Sequence, residues 1–176
     1  MVRTQVAFGM LATVQGSLIA AISLVAVALP AIQRELHLSE TQLMLITAGY
    51  GLAFAGLLIL GGRLSDSYGP RRTFTAGMIL FGLASFAGTL ATQVGLLVAV
   101  RFLQGVGASL AAPAALSLAG ALFAEPEHRT QALAVWGGLS ATGAVVGMLL
   151  SGAIVHWLGW RWVFAPPAPV SALAPA

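Results

Sequence analysis

The chain has 176 residues, 59% of them hydrophobic and only 7% charged, with a mean hydropathy of +0.94. A soluble domain carries about a quarter charged residues, so a water-exposed globule is excluded and a bilayer is the expected solvent. The net charge is +3, lysine is absent so that every cation is an arginine, and the lack of cysteine excludes disulfides and thiolate metal sites.

Apolar runs of about 20 residues suffice to cross a bilayer as helices and are too long for transmembrane strands of about 10 residues. Lipid offers backbone amides no partner, so each run must close its own hydrogen bonds as a helix. Five such spans are expected in an all-α membrane protein. The first covers about residues 6–29, holds Gln15 and Ser17 but no charge, and is expected to stop at Pro30 before a polar link from Gln33 to Glu40. The second and third, about 43–62 and 74–91, form a tight hairpin around a loop, Gly62-Arg63-Leu64-Ser65-Asp66-Ser67-Tyr68-Gly69-Pro70-Arg71-Arg72. The fourth, about 95–122, carries Arg101 and Gln104 inside its apolar length, passes Pro113 and fades into a polar stretch ending at Arg129. The fifth, about 131–155, runs into His156-Trp157-Leu158-Gly159-Trp160-Arg161-Trp162, an aromatic and basic cluster suited to a headgroup boundary. The proline- and alanine-rich tail, 165–176, is too short and too broken to cross as a helix.

Arginine placement predicts the orientation. A cytoplasmic N-terminus puts Arg3, Arg63, Arg71, Arg72 and Arg129 inside and only Arg34 and Arg161 outside, with Arg101 buried. The arginines sit at span ends instead of forming a basic face with interleaved aromatics, which argues against nucleic acid. Ala26-Val27-Ala28 has the small residues of a cleavage site, but its apolar run is longer than the usual 7 to about 15 residues of a signal peptide.

Four groups of residues carry candidate roles. In the hairpin, Gly62 would let the second helix approach a neighbour, Gly69-Pro70 would turn, and Pro70 would open the next helix at a position whose amide is unused anyway. On spacing alone this is a topology signal, with Arg71 and Arg72 on anionic lipid and Asp66 a solvated cap. Arg101 costs about 2.5–3.5 kcal/mol at the centre of a span. It can either snorkel or join Gln104, Gly105, Ala108 and Ala112 on one small, polar face turned into the bundle. Gly143, Gly147 and Ser151 form a stripe along which another helix can approach. Gln15-Gly16 and Gln104-Gly105 open the polar parts of spans one and four, an internal echo of the kind inverted repeats leave. All five acidic residues, Glu35, Glu40, Asp66, Glu125 and Glu127, lie in links, so no carboxylate is expected at mid-membrane. His37, His128 and His156 occupy separate links, which makes a metal cluster unexpected, and no catalytic motif is present.

The hairpin resembles the signature between helices two and three of the major facilitator superfamily. Arg101-Phe102-Leu103-Gln104-Gly105-Val106-Gly107-Ala108 is similar to that family's helix-four motif, and Gly143, Gly147 and Gly152 fall on glycines of its antiporter motif. Val27-Ala28-Leu29-Pro30 and Trp160-Arg161-Trp162-Val163-Phe164 add to a likeness covering about residues 8–164, closest to the fourteen-helix drug/proton antiporter branch. Departures are Ala21 and Ala26, where the branch usually places Asp and Asn, Met148 in place of a proline, and Ser151 in place of a glycine.

The resemblance implies a conformational latch at Gly62, Asp66, Gly69, Arg71 and Arg72, and a cavity or coupling role for Arg101, Gln104 and Gly105. It implies a packing and sealing role for Gly143, Gly147 and Gly152. It implies an incomplete six-helix N-terminal bundle over 1–164, truncated from a longer transporter and lacking its second half. The expected function is efflux of small amphipathic or hydrophobic molecules by alternating access, coupled to protons in the complete protein, without cofactors and without enzymatic chemistry. The expected setting is the inner membrane, multi-pass. The rival reading is a non-transporting remnant that pairs with other membrane helices through its glycine stripes.

Overall fold

The computed structural model describes residues 2–123 and 126–165. They form five α-helices, α1 (Val2–Leu36), α2 (Glu40–Tyr68), α3 (Pro70–Thr89), α4 (Val94–Ala121) and α5 (Pro126–Trp157), followed by a short 3-10 helix, Trp160–Phe164. Four are long and apolar enough to span a bilayer; α3 has only 20 residues, and Arg72 falls in every 18-residue stretch of it. The side chains of Arg3, Glu127, His128 and Arg129, and all of Glu125 and the 166–176 tail, lie outside the described residues.

Helix ends differ from the expected ones for identifiable reasons. Pro30 does not end α1, which continues to Leu36, because surrounding helices support a proline that would stop a helix in water. The stop comes at His37, whose φ of 50° is left-handed, with the Leu38 amide donating back to the Gln33 carbonyl at 3.1 Å. The next residues form a capping box: the Gln42 amide donates to Ser39 Oγ at 3.3 Å and the Ser39 amide to Gln42 Oε1 at 2.9 Å. That lets α2 begin at Glu40, inside the expected link.

The Arg-rich segment is not a loop. α2 runs unbroken through Gly62 to Tyr68, α3 starts at Pro70, and Gly69, at φ 90°, is the only residue between them. Glycine is needed there because a side chain at that φ would strain the turn.

Packing divides the helices into a set, α2, α3 and α4, with α4 between the other two, and a pair, α1 with α5. Both rest on small residues, since helix association in lipid depends on close van der Waals contact. A Cβ on Gly105 would lie 2.5 Å from the Tyr50 carbonyl of α2, and one on Gly107 2.7 Å from the Gly77 carbonyl of α3. In the pair, Gly143 of α5 packs on the backbone of Gly16, and Gly147 on Ala20, where a Cβ would lie 2.7 Å from the carbonyl. The two Gln-Gly dipeptides therefore mark the close approaches of α4 with α2 and of α1 with α5.

The Trp160 segment, expected as a headgroup anchor, divides. Trp157 and Trp162 are exposed, whereas Trp160, Val163 and Phe164 are buried against α1, α3 and α5.

Candidate functional site

Arg101 is 2% exposed, so it does not snorkel. Residues 101, 104, 105 and 108 of α4 are all buried, as expected of a face turned into the bundle, and Ala112 is half-buried. The Arg101 guanidinium donates from Nη1 to Gln104 Oε1 at 3.1 Å, Gln104 Nε2 donates to Ser85 Oγ of α3 at 2.9 Å, and the Tyr50 ring of α2 lies 4.5 Å from the Arg101 Cζ. Three groups, one from each of three helices, thus surround or back one cation, and none is a carboxylate. The ring quadrupole attracts the charge, but Arg101 Nε has no hydrogen-bond partner among the described residues. Neutral groups compensate a buried charge only partly, which leaves this spot strongly electropositive. Ser85 and Tyr50 were not singled out from the sequence. Only the polar character of Ser85 on an apolar helix could have signalled its role.

At the Gly69 end, Asp66 is exposed and makes no hydrogen bond or ion pair among the described residues. Its placement opposes helix stability. An acid sits in the last turn of α2, and two arginines sit in the first turn of α3, each at the helix end whose dipole repels it. The close approach expected of Gly62 falls on Gly61, whose Cβ would strike the Ser109 backbone of α4, while Gly62 faces open space.

Along α5, Gly143 and Gly147 contact α1, and Ser151 continues the stripe by donating to the Leu24 carbonyl at 2.6 Å. Gly152 lies off the contact and has nothing within 4 Å. Gln15, the echo of Gln104, keeps a buried Oε1 with no hydrogen-bond partner among the described residues. No group of three or more metal-ligating side chains occurs among the described residues.

Known proteins align with this arrangement over most of its length. The puromycin resistance protein of Streptomyces alboniger is 47% identical over 86% of the chain. The cephamycin export protein of Amycolatopsis lactamdurans is 40% identical over 84%, and the lincomycin resistance protein of Streptomyces lincolnensis 40% over 86%. The chain spans about 30% of the length of each of these relatives, between 30% and 31%. A crystal structure of a peptide transporter POT with sulfate superposes with a TM-score of 0.83 over 96% of the chain and 36% of its own length, at 21% identity, a likeness of fold. The family description Major Facilitator Superfamily matches residues 11–176, and the chain, a multi-pass bundle of apolar helices, belongs to that superfamily.

Proposed function

We propose that this chain is the front half-bundle of an exporter of small amphipathic or hydrophobic molecules. The single observation that carries the reading is identity of 40–47% over more than four fifths of the chain to proteins named for antibiotic resistance or export. Transport by alternating access would move the bundle as a unit, with α1 and α4 lining the path and Arg101 contributing positive charge to it. The N-terminus is cytoplasmic in this reading, so the Gly69 end is inner and the Trp160 end outer.

In the proposed latch, Asp66 opposes its own helix dipole and pairs with arginines or a neighbouring helix N-terminus in one conformation, releasing them in the other. The arginine pair and the lipid surface also keep the hairpin inside. Arg101 cannot release its proton, and the described carboxylates sit at helix ends, so proton coupling through a carboxylate falls to residues outside this chain.

Against the rival remnant stands the use of the glycine stripe: Gly143, Gly147 and Ser151 are already covered by α1, leaving that stripe no face for a foreign helix. The test is Asp66→Asn in the complete transporter carrying this half. Efflux is lost while membrane insertion stays at the wild-type level; normal efflux would reject the latch.

A further inference from the structure

Beyond the transport reading, and independently of it, the 3-10 helix Trp160–Phe164 ends the described chain in an arrangement far more specific than an interfacial anchor requires. Glu35, in the last turn of α1, accepts two hydrogen bonds, from Trp160 Nε1 at 2.8 Å and from Arg161 Nη1 at 2.5 Å. Arg161 Nε donates to the Ala91 carbonyl just beyond α3 at 3.0 Å, and its guanidinium lies 4.4 Å over the Trp160 ring. Below this polar layer Trp160, Val163 and Phe164 are each 1% exposed. Phe164 fills the groove that Gly88 leaves on α3, where a Cβ would lie 2.7 Å from the ring.

These contacts join parts of the fold that otherwise touch little. α1 and α5 contact the α2–α3–α4 set mainly through α1, and sparsely, whereas the 3-10 helix touches α1, α3 and α5 at once. A continuous helix could not do this: Gly159, at φ 91°, turns the chain back across the bundle end.

We propose that Trp160–Phe164 is a strap that locks the α1–α5 pair onto the α2–α3–α4 set at one end of the bundle, with Glu35 as the catch on which Trp160 and Arg161 both close. The carboxylate is suited to the task because it alone can accept from an indole N–H and a guanidinium through separate oxygens. The catch is half in water, so it can open without the whole fold melting, whereas the apolar residues beneath it make opening unfavourable. Arg161 is shared between Glu35 and Ala91, so losing the carboxylate frees α1 and also loosens the hold on α3.

The test uses the full chain in detergent micelles and its lack of native cysteine. Val163→Cys places one thiol on the buried face of the strap, and a water-soluble maleimide reads how often the strap opens. With Glu35 present the thiol is protected. Adding Glu35→Ala speeds modification by about tenfold, as a 1.4 kcal/mol shift in the opening equilibrium would. Arg161→Ala has a similar effect, and the two together react no faster than the more reactive single variant, because both break one catch. Ser109→Cys, a buried thiol in α4, reports global unfolding and stays protected throughout. Equal Val163→Cys reactivity with and without Glu35 overturns the proposal. So does exposure of the Ser109→Cys thiol in the Glu35→Ala background, which would make Glu35 a determinant of the whole fold and not of a strap. No step requires transport, so failure of the export reading leaves this result standing, and the reverse holds as well.

Discussion

The α2–α3–α4 set and the α1–α5 pair use the same device to opposite ends. In each, a Gln-Gly dipeptide sits at a close approach of two helices, Gly105 under Tyr50 and Gly16 under Gly143. In the set, the adjoining glutamine is a bridge, holding Arg101 on one side and Ser85 of α3 on the other. In the pair, the glutamine bridges nothing described, and contact rests on small residues and one serine hydroxyl. Close approach and charge handling are therefore separable. Glycine supplies the first where a neighbouring helix packs on it, and the second requires a third helix.

The largest effects should come from filling the close approaches. Gly105→Val drives a side chain into the Tyr50 backbone and is expected to cost about 3 kcal/mol or more, seen as loss of folded protein in thermal unfolding. Gly143→Val should cost a similar amount, but cysteine crosslinking between α2 and α4 should survive it and fail in Gly105→Val. Loss of the α2–α4 crosslink in Gly143→Val as well would show that the set and the pair are one cooperative unit.

Removing the glutamines should separate the two regions further. Gln104→Leu strands the Ser85 hydroxyl and Arg101 Nη1 and should destabilise by about 1–3 kcal/mol, whereas Gln15→Leu removes an acceptor already unpaired and should be neutral or stabilising. Equal losses would mean that Gln15 has a partner of its own. Arg101→Met probes charge handling directly. Replacing a buried, incompletely paired charge by an apolar chain is expected to leave folding unchanged or improved, while efflux by the complete transporter falls. Retained efflux would confine Arg101 to structure.

Smaller effects belong to the α5 stripe. Ser151→Ala loses the hydrogen bond to Leu24 and should cost about 0.6 kcal/mol, the average for such bonds between membrane helices, and no more than about 1.7 kcal/mol. Gly152→Ala meets open space and should stay within about 0.5 kcal/mol of wild type.

Hydrophobicity made the helices legible. Runs near the length of a bilayer can only be helices in lipid, so five elements in order were evident from the chain. Their ends were not, because rules learned in water misplace them: Pro30 reads as a stop and Gly62 to Tyr68 as a loop, yet neighbouring helices carry both through. The Ser39–Gln42 capping box, a serine followed three residues later by a glutamine, marks the start of α2 better than hydropathy does, and the hydropathy reading passes over it. Arg101 with Gln104 was legible because their spacing puts them on one face. Ser85 and Tyr50 were not, since nothing local reveals which helix packs on α4. The Glu35 catch joins residues 126 apart in sequence, a pairing that no local pattern encodes.

The claim on which the account rests is that the Gly69 hairpin faces the cytoplasm and the Trp160 end the outside of a multi-pass bundle. Single cysteines at Ser67 and Thr92, introduced into the cysteine-free chain, test it in intact cells with a membrane-impermeant thiol reagent. Thr92→Cys is expected to react from outside, while Ser67→Cys is expected to react only after the membrane is opened. Labelling of Ser67→Cys in sealed cells would contradict it.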